Sequence, residues 1–147
     1  MQAYTLLAAW PLTLKMCVKA GLDSQRAIED VVSICCKIST HLGHSTLPKE
    51  RMSAIQSTIP GLQANAIIQD MQTRWNSTYY MVQHMLEQKK CVRYASEHDL
   101  QATLTKRQWG LLEKMVALLA PFEEITKHIS SAESSLADVI PAVTAIR

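Results

Sequence analysis

Residues 73–79, Thr-Arg-Trp-Asn-Ser-Thr-Tyr, join a segment of weak helical periodicity to a long helical pattern. Asn76 or Ser77 can cap that helix, because their side-chain oxygens accept hydrogen bonds from the free N–H groups at a helix start. Arg74 and Trp75 place a cation beside a flat aromatic face, a combination that proteins use to hold an unstacked base. A Trp in a domain of this size also commonly packs in the core, with a neighbouring Arg lying along apolar surface. Arg74 and Trp75 are therefore candidates for nucleic-acid contact, with structural packing as the alternative.

A longer run, residues 70–81, reads Asp-Met-Gln-Thr-Arg-Trp-Asn-Ser-Thr-Tyr-Tyr-Met. It resembles the extended Arg-Trp motif of hAT-family transposases, and most of all that of their domesticated vertebrate relatives, the BED-type zinc-finger proteins. Flanking segments at residues 20–22, 34–38, 119–124 and 138–143 agree with the same family. The resemblance therefore extends over nearly the whole chain and implies an internal part of a longer transposase-like polypeptide.

The resemblance implies a mainly α fold, a helical fragment of an RNase H-like transposase core with at most one short strand at about residues 66–74. Residues 1–75 would form part of the RNase H-like core. Residues 76–147 would begin the α-helical insertion domain. A chain of 147 residues is long enough to bury a substantial core, roughly 70% of its unfolded surface if it closes well.

The resemblance carries over little of the family's chemistry. Active hAT transposases cut and rejoin DNA with three carboxylates that hold two divalent metal ions, and none of the three has a counterpart in this chain. Asp70 belongs, in the family, to the strand before the Arg-Trp motif, and a lone carboxylate cannot assemble a two-metal site. We therefore expect no enzymatic activity, no metal site and no cofactor. Glu123 and Glu124 are predicted to face solvent, because acidic side chains are rarely buried.

Helical periodicity dominates the rest of the chain. Helices are predicted over about residues 13–21, 25–42 and 48–57, with Ser24 as the N-cap of the second. Gly21 and Gly43 are predicted to end the first two, since glycine is common just after a helix. A single helix is predicted after residue 76, and a last one over about residues 135–146.

The strongest helical pattern follows a capping box formed by Thr105 and Gln108. An apolar stripe then steps by four and three residues along Leu111, Met115, Leu118, Phe122, Ile125 and Ile129. The stripe is widened by Trp109, Leu112, Val116 and Leu119. This width predicts burial against more than one neighbour.

Charge and cysteine content say little about partners. The chain has 15 Lys and Arg against 13 Asp and Glu, a formal charge of +2, which lacks the concentrated basicity that marks a nucleic-acid-binding protein. Neither a membrane span nor a secretory signal is predicted. The four cysteines include no Cys-x-x-Cys pair and are predicted to be free thiols in a reducing compartment. Zinc binding by Cys35 or Cys36 with His41 and His44 is disfavoured, because Cys35 and His41 lie on different faces of a helix.

These observations predict a non-catalytic module derived from a domesticated hAT transposase and associated with DNA binding or transcription regulation in its full-length relatives. The alternative is a protein-interaction helical domain, or a gene-fragment remnant, without a DNA role. DNA and a second copy of the chain are the candidate partners. No membrane and no small-molecule substrate is expected. A soluble intracellular protein is predicted, and the resemblance implies a nuclear location.

Overall fold

The computed structural model describes residues 2–44, 46–62, 75–99 and 103–129. Six α-helices run through these segments in the order α1 (Gln2–Asp23), α2 (Arg26–His44), α3 (Thr46–Thr58), α4 (Trp75–Glu87), α5 (Lys89–Asp99) and α6 (Lys106–Ile129). No strand occurs in these segments, and the prediction of a mainly α fold is confirmed. The strand predicted at 66–74 and the helix predicted at 135–146 lie outside the described residues.

Helix α2 occupies the centre of the fold and contacts each of the five other helices. Its sequence explains this position, because one face carries small and branched apolar side chains at helical spacing. The buried residues of that face are Val31, Cys35, Ile38, Ser39 and Leu42. Around α2, helix α3 packs on α5, while α4 packs on α6 and α1.

One hydrophobic core joins residues from both sides of position 75. Leu14 and Val18 enter it from α1, and Met81, Val82 and Met85 enter it from α4. The predicted division into residues 1–75 and 76–147 stays a prediction, but side chains on the two sides of that boundary are buried together. No helix in the described part of the chain combines the length and the apolarity needed to cross a bilayer.

The ends of α1 and α2 differ from the predicted ones. Helix α1 extends beyond residues 13–21 in both directions, and it passes Gly21 without a left-handed residue. The hydroxyl of Ser24 donates to the carbonyl of Gly21 at 2.8 Å, so it bonds to the end of α1. The first turn of α2 instead begins on the backbone carbonyl of Gln25, which accepts from the N–H of Ile28 at 2.8 Å. The prediction of Ser24 as the N-cap of α2 is therefore wrong.

The helix predicted after residue 76 is divided in two at Gln88. Helix α4 begins at Trp75, so Asn76 and Ser77 lie in its first turn and do not cap it. The side chain of Gln88 is 2% exposed and accepts a hydrogen bond from Nε2 of Gln56 at 2.9 Å. A buried amide pair of this kind satisfies groups that would otherwise be left unpaired in the core. It ties α3 to the junction of α4 and α5.

The capping box at the start of α6 is confirmed. The backbone N–H of Thr105 donates to Oε1 of Gln108 at 2.8 Å, and the N–H of Gln108 donates to Oγ1 of Thr105 at 3.3 Å. The wide apolar stripe is buried on one side. Its positions Trp109, Leu112, Met115 and Leu119 are buried, whereas Leu118 is 65% exposed. The stripe packs on both α4 and α2, which confirms the predicted burial against more than one neighbour.

Candidate functional site

Trp75 is the first residue of α4, and its side chain is only 4% exposed. Its ring meets Tyr79 one turn later, edge to face, with ring centroids 6.5 Å apart and planes inclined by 62°. This arrangement is one that aromatic pairs prefer. Trp75 therefore anchors the start of α4 in the core. Arg74 lies outside the described residues, and nucleic-acid contact by Arg74 and Trp75 stays a prediction.

A groove of about 350 Å³ runs beside Trp75, between α1, α2 and α4. Its walls combine apolar side chains with hydroxyl, thiol and charged groups. They are formed by Lys19, Leu22 and Asp23 of α1, Ile28, Glu29, Val32, Ser33 and Cys36 of α2, and Trp75 and Thr78 of α4. Trp75 thus forms part of the wall of this groove.

The charges around this groove do not favour a phosphate. Among its lining residues, Lys19 is positive, whereas Asp23 and Glu29 are negative. The Nζ atom of Lys19 lies 3.1 Å from a carboxylate oxygen of Asp23, and the two side chains are 51% and 59% exposed. Because the cation is already paired and two carboxylates stand against it, the groove offers little of the attraction that nucleic-acid backbones require. A base that reached Trp75 would have to be held without phosphate contacts here.

A second polar cluster lies between α4 and α6, where Glu123 is 4% exposed. Its carboxylate accepts a hydrogen bond from Nδ2 of Asn76 at 2.6 Å and another from the hydroxyl of Tyr80. The Nζ atom of Lys127 lies 3.6 Å from the same carboxylate and 5.3 Å from the centre of the Tyr80 ring. The prediction of a solvent-facing Glu123 is wrong, whereas Glu124 is exposed as predicted.

The pKa values of two side chains around Glu123, Tyr80 and Lys127, are raised. The pKa of Tyr80 is raised, first by burial and then by the hydrogen bond to Glu123, which favours the neutral phenol. The pKa of Lys127 is raised as well, first by its hydrogen bond with Tyr80. Both shifts keep the protons on these groups and preserve the donor–acceptor pattern around Glu123.

The four cysteines differ in burial, and none of them forms a disulfide. All four, Cys17, Cys35, Cys36 and Cys91, are free thiols. Burial, followed by the proximity of Cys36, raises the pKa of Cys35 to about 12. A thiol with such a pKa is a poor metal ligand at neutral pH, because metals bind the thiolate. Across the described segments, no group of three or more His, Cys, Asp and Glu side chains could hold a metal ion.

A family model of the ZBED1 RNase-like helical domain matches residues 9–118. The chain belongs to this family. The match includes all of α2 to α5 and therefore the Trp75 groove. It confirms the resemblance to hAT-derived, BED-type proteins that the Arg-Trp motif indicated.

Three curated proteins are similar to the chain over part of their length. Human Zinc finger BED domain-containing protein 4 is 27% identical over 132 residues, which are 89% of the chain and 11% of that protein. Human Zinc finger BED domain-containing protein 6 is 27% identical over 130 residues, with 88% and 13% covered. The Talaromyces stipitatus protein "Putative transcriptional regulator tpeD" is 31% identical over 98 residues, with 64% and 11% covered. The chain thus spans a small part of each relative, and no solved structure matches it.

The sequence analysis did not predict the burial of Glu123. Glu123 had a local signal, because it continues the buried stripe of Leu112, Met115 and Leu119 at steps of three and four residues. Its partners Asn76 and Tyr80 are 47 and 43 residues away. Contacts at that separation depend on how α4 and α6 pack, which no local pattern gives.

Proposed function

We propose that this chain is a non-catalytic helical module of a domesticated hAT-derived protein, and that it supports DNA-associated regulation by that protein in the nucleus. The burial of Trp75 carries the proposal. A Trp that is 4% exposed and packed on Tyr79 contributes to the core and presents almost no face for stacking on a base. The residue that marks the transposase motif thus has a structural role here.

Two further observations support a role without catalysis. The carboxylate of Glu123 is occupied by Asn76, Tyr80 and Lys127. A carboxylate with three protein partners is poorly available to a metal ion, which would compete with those contacts. The names of two similar proteins refer to BED zinc fingers, and the name of a third refers to transcriptional regulation, which supports a regulatory role and a nuclear location.

Substitution of Trp75 tests this proposal directly. We expect Trp75→Ala to lower the free energy of unfolding by about 3–5 kcal/mol, because a large buried aromatic leaves a cavity. The matched control is Leu118→Ala on exposed surface, which should change it by less than about 0.5 kcal/mol. Urea unfolding followed by circular dichroism gives both values. An unfolding free energy that Trp75→Ala leaves unchanged would contradict the proposal.

DNA assays on the same proteins complete the test. Fluorescence anisotropy with labelled single-stranded and duplex DNA should give the same affinity for the wild-type chain and for Trp75→Phe, which keeps a ring in the core. Incubation with Mg²⁺ or Mn²⁺ should neither nick nor join DNA. Loss of single-strand binding in a stably folded Trp75→Phe protein, or metal-dependent cleavage that Asp70→Asn abolishes, would show that the module retains transposase-type function.

Self-association is a second candidate role, and one face of α1 favours it. Leu12 and Met16 are 58% and 65% exposed and lie one turn apart. Neighbouring exposed apolar side chains are typical of contact surfaces. Sedimentation velocity over a range of concentrations should show a dimer that the double substitution Leu12→Glu and Met16→Glu converts to monomer, while Leu118→Glu leaves it intact.

A further inference from the structure

A second groove, remote from Trp75, lies between the start of α2 and the first turns of α6. Its volume is about 760 Å³. Ala27 and Val31 of α2 form one wall, and Gly110 and Leu111 of α6 form the other. These small or apolar side chains, called the floor below, offer hydrophobic contact. The polar side chains of Thr105 and Gln108 also line the groove, but they bond to each other.

Gly110 keeps this groove open. Glycine is unfavourable inside a helix because it loses more backbone freedom than other residues on folding. Packing does not require it here, since a Cβ atom at position 110 would meet nothing within 4 Å. Any larger side chain at this position would project into the open space. The chain thus keeps a residue that weakens α6 and leaves the groove accessible.

Cations dominate the rim of the groove. Arg107 and Lys114 both line it and are separated by seven residues, which is two turns along one face of α6, or about 10 Å. Neither makes an ion pair within the described segments. Asp30 of α2 is the opposing charge in the lining. The rim therefore has an excess of positive charge with unused donors.

We propose that this groove binds an acidic amphipathic helix of a partner protein. An apolar stripe of such a helix would fill the floor over Gly110 and Leu111, and carboxylates flanking the stripe would pair with Arg107 and Lys114. Apolar anchors at helical spacing in a groove between two helices are a common mode of peptide recognition. Rim charges of opposite sign then select the partner and fix its orientation.

The groove fits nucleic acid less well than it fits an acidic helix. None of its lining residues is aromatic, and stacking on aromatic rings is the usual way to hold single strands. Two cations opposed by Asp30 also provide few of the phosphate contacts that a duplex requires. The backbone donors at the start of α6 are partly used by the capping box of Thr105 and Gln108, so anions would meet the side chains. This inference holds whether or not the module contacts DNA.

The test uses the full chain and a labelled synthetic peptide of Glu, Ala and Leu, with Leu at every third or fourth position. Fluorescence anisotropy should show saturable binding at low salt, and amide chemical shift changes should map to α2 and α6. The same peptide with Lys in place of Glu, and a peptide of Glu and Ala without Leu, should bind at least about tenfold more weakly, since each lacks one half of the recognition. Equal binding of all three peptides would overturn the proposal.

Two variants test the rim and the floor separately. The double substitution Arg107→Glu and Lys114→Glu should weaken binding by about tenfold or more, as expected for reversing two exposed charge pairs. Lys90→Glu, a reversal at another exposed cation, should leave binding unchanged. Gly110→Leu should fill the groove and abolish binding in a protein that still folds, because the added Cβ meets no neighbour within 4 Å. The proposal would be refuted if the peptide still bound to Gly110→Leu. It would also be refuted if unlabelled duplex DNA displaced the labelled peptide from the wild-type chain.

Discussion

At the scale of single residues, burial places Trp75 and Glu123 inside the molecule. The sequence allowed either base stacking or core packing for Trp75, and its side chain packs in the core at the start of α4. Glu123 would ordinarily face water, yet it is buried with Asn76 and Tyr80 as partners. A buried carboxylate is tolerated only when such donors replace the water that it has lost. The network therefore links α4 to α6 by polar contacts within an otherwise apolar contact surface.

Removal of the Glu123 carboxylate tests this network. Glu123→Ala should lower the free energy of unfolding by about 1–3 kcal/mol, because Asn76 and Tyr80 are left with unsatisfied donors in a buried place. Glu124→Ala, at the exposed neighbouring position, is the matched control and should have little effect. A double-mutant cycle with Tyr80→Phe should reveal coupling between Glu123 and Tyr80. Independent, additive effects would mean that the hydrogen bond does not contribute to stability.

At the scale of elements, local chemistry sets the start of α6, whereas tertiary contacts occupy the side chains at the start of α4 and at the boundary between α4 and α5. Thr105 and Gln108 are exposed or half-buried, and they form the reciprocal bonds that their spacing predicts. Asn76, in contrast, was predicted as a cap but donates to the distant Glu123. At the boundary of α4 and α5, the buried pair of Gln56 and Gln88 lies where local periodicity alone predicted one continuous helix.

Removal of the Thr105 cap is expected to lower the free energy of unfolding. Thr105→Ala should reduce the free energy of unfolding by about 1 kcal/mol, within the range of about 0.5–2 kcal/mol measured for helix caps. Thr103→Ala, two residues earlier and also exposed, leaves the capping box intact and should be nearly neutral. Urea unfolding curves for the two variants provide the comparison. Equal losses of stability in Thr105→Ala and Thr103→Ala would show that the cap does not stabilise α6.

At the scale of the whole molecule, α2 connects the parts of the fold because it contacts every other described helix. Cys35, on its buried face, and Cys91 of α5 are both fully buried, whereas Cys17 on α1 is exposed. A core shared by residues before and after position 75 should open as a unit. The labelling rate of each thiol therefore measures how readily the structure opens around that residue.

Thiol labelling with a disulfide reagent should show whether the core unfolds in a single step. We expect Cys17 to react at once, Cys36 more slowly, and Cys35 and Cys91 at a common rate set by unfolding. Because the pKa of Cys35 is raised from 9.0 to about 12, the folded state keeps this proton when the unfolded chain would lose it. The free energy of unfolding should therefore fall as the pH rises from about 9 to about 12, and this fall should be smaller in Cys35→Ala. Fast labelling of Cys35 under native conditions would show that α2 opens separately.

Local sequence patterns were enough to predict the helical class, the family and the capping box of α6. These properties depend on periodicity and on short-range chemistry, which are written in neighbouring residues. The extent of the resemblance supplied the family directly, and the match over residues 9–118 agrees with it.

Packing in three dimensions selects the side of the wide α6 stripe that is buried, divides α4 from α5, and places Glu123 inside. Helix α6 has apolar side chains on more than one face, so its own sequence allows two orientations. The packing of α4 selects between them and brings Asn76 to Glu123 across 47 residues. Such contacts are set by the free energy of the whole core, because each helix buries the face that its neighbours leave uncovered.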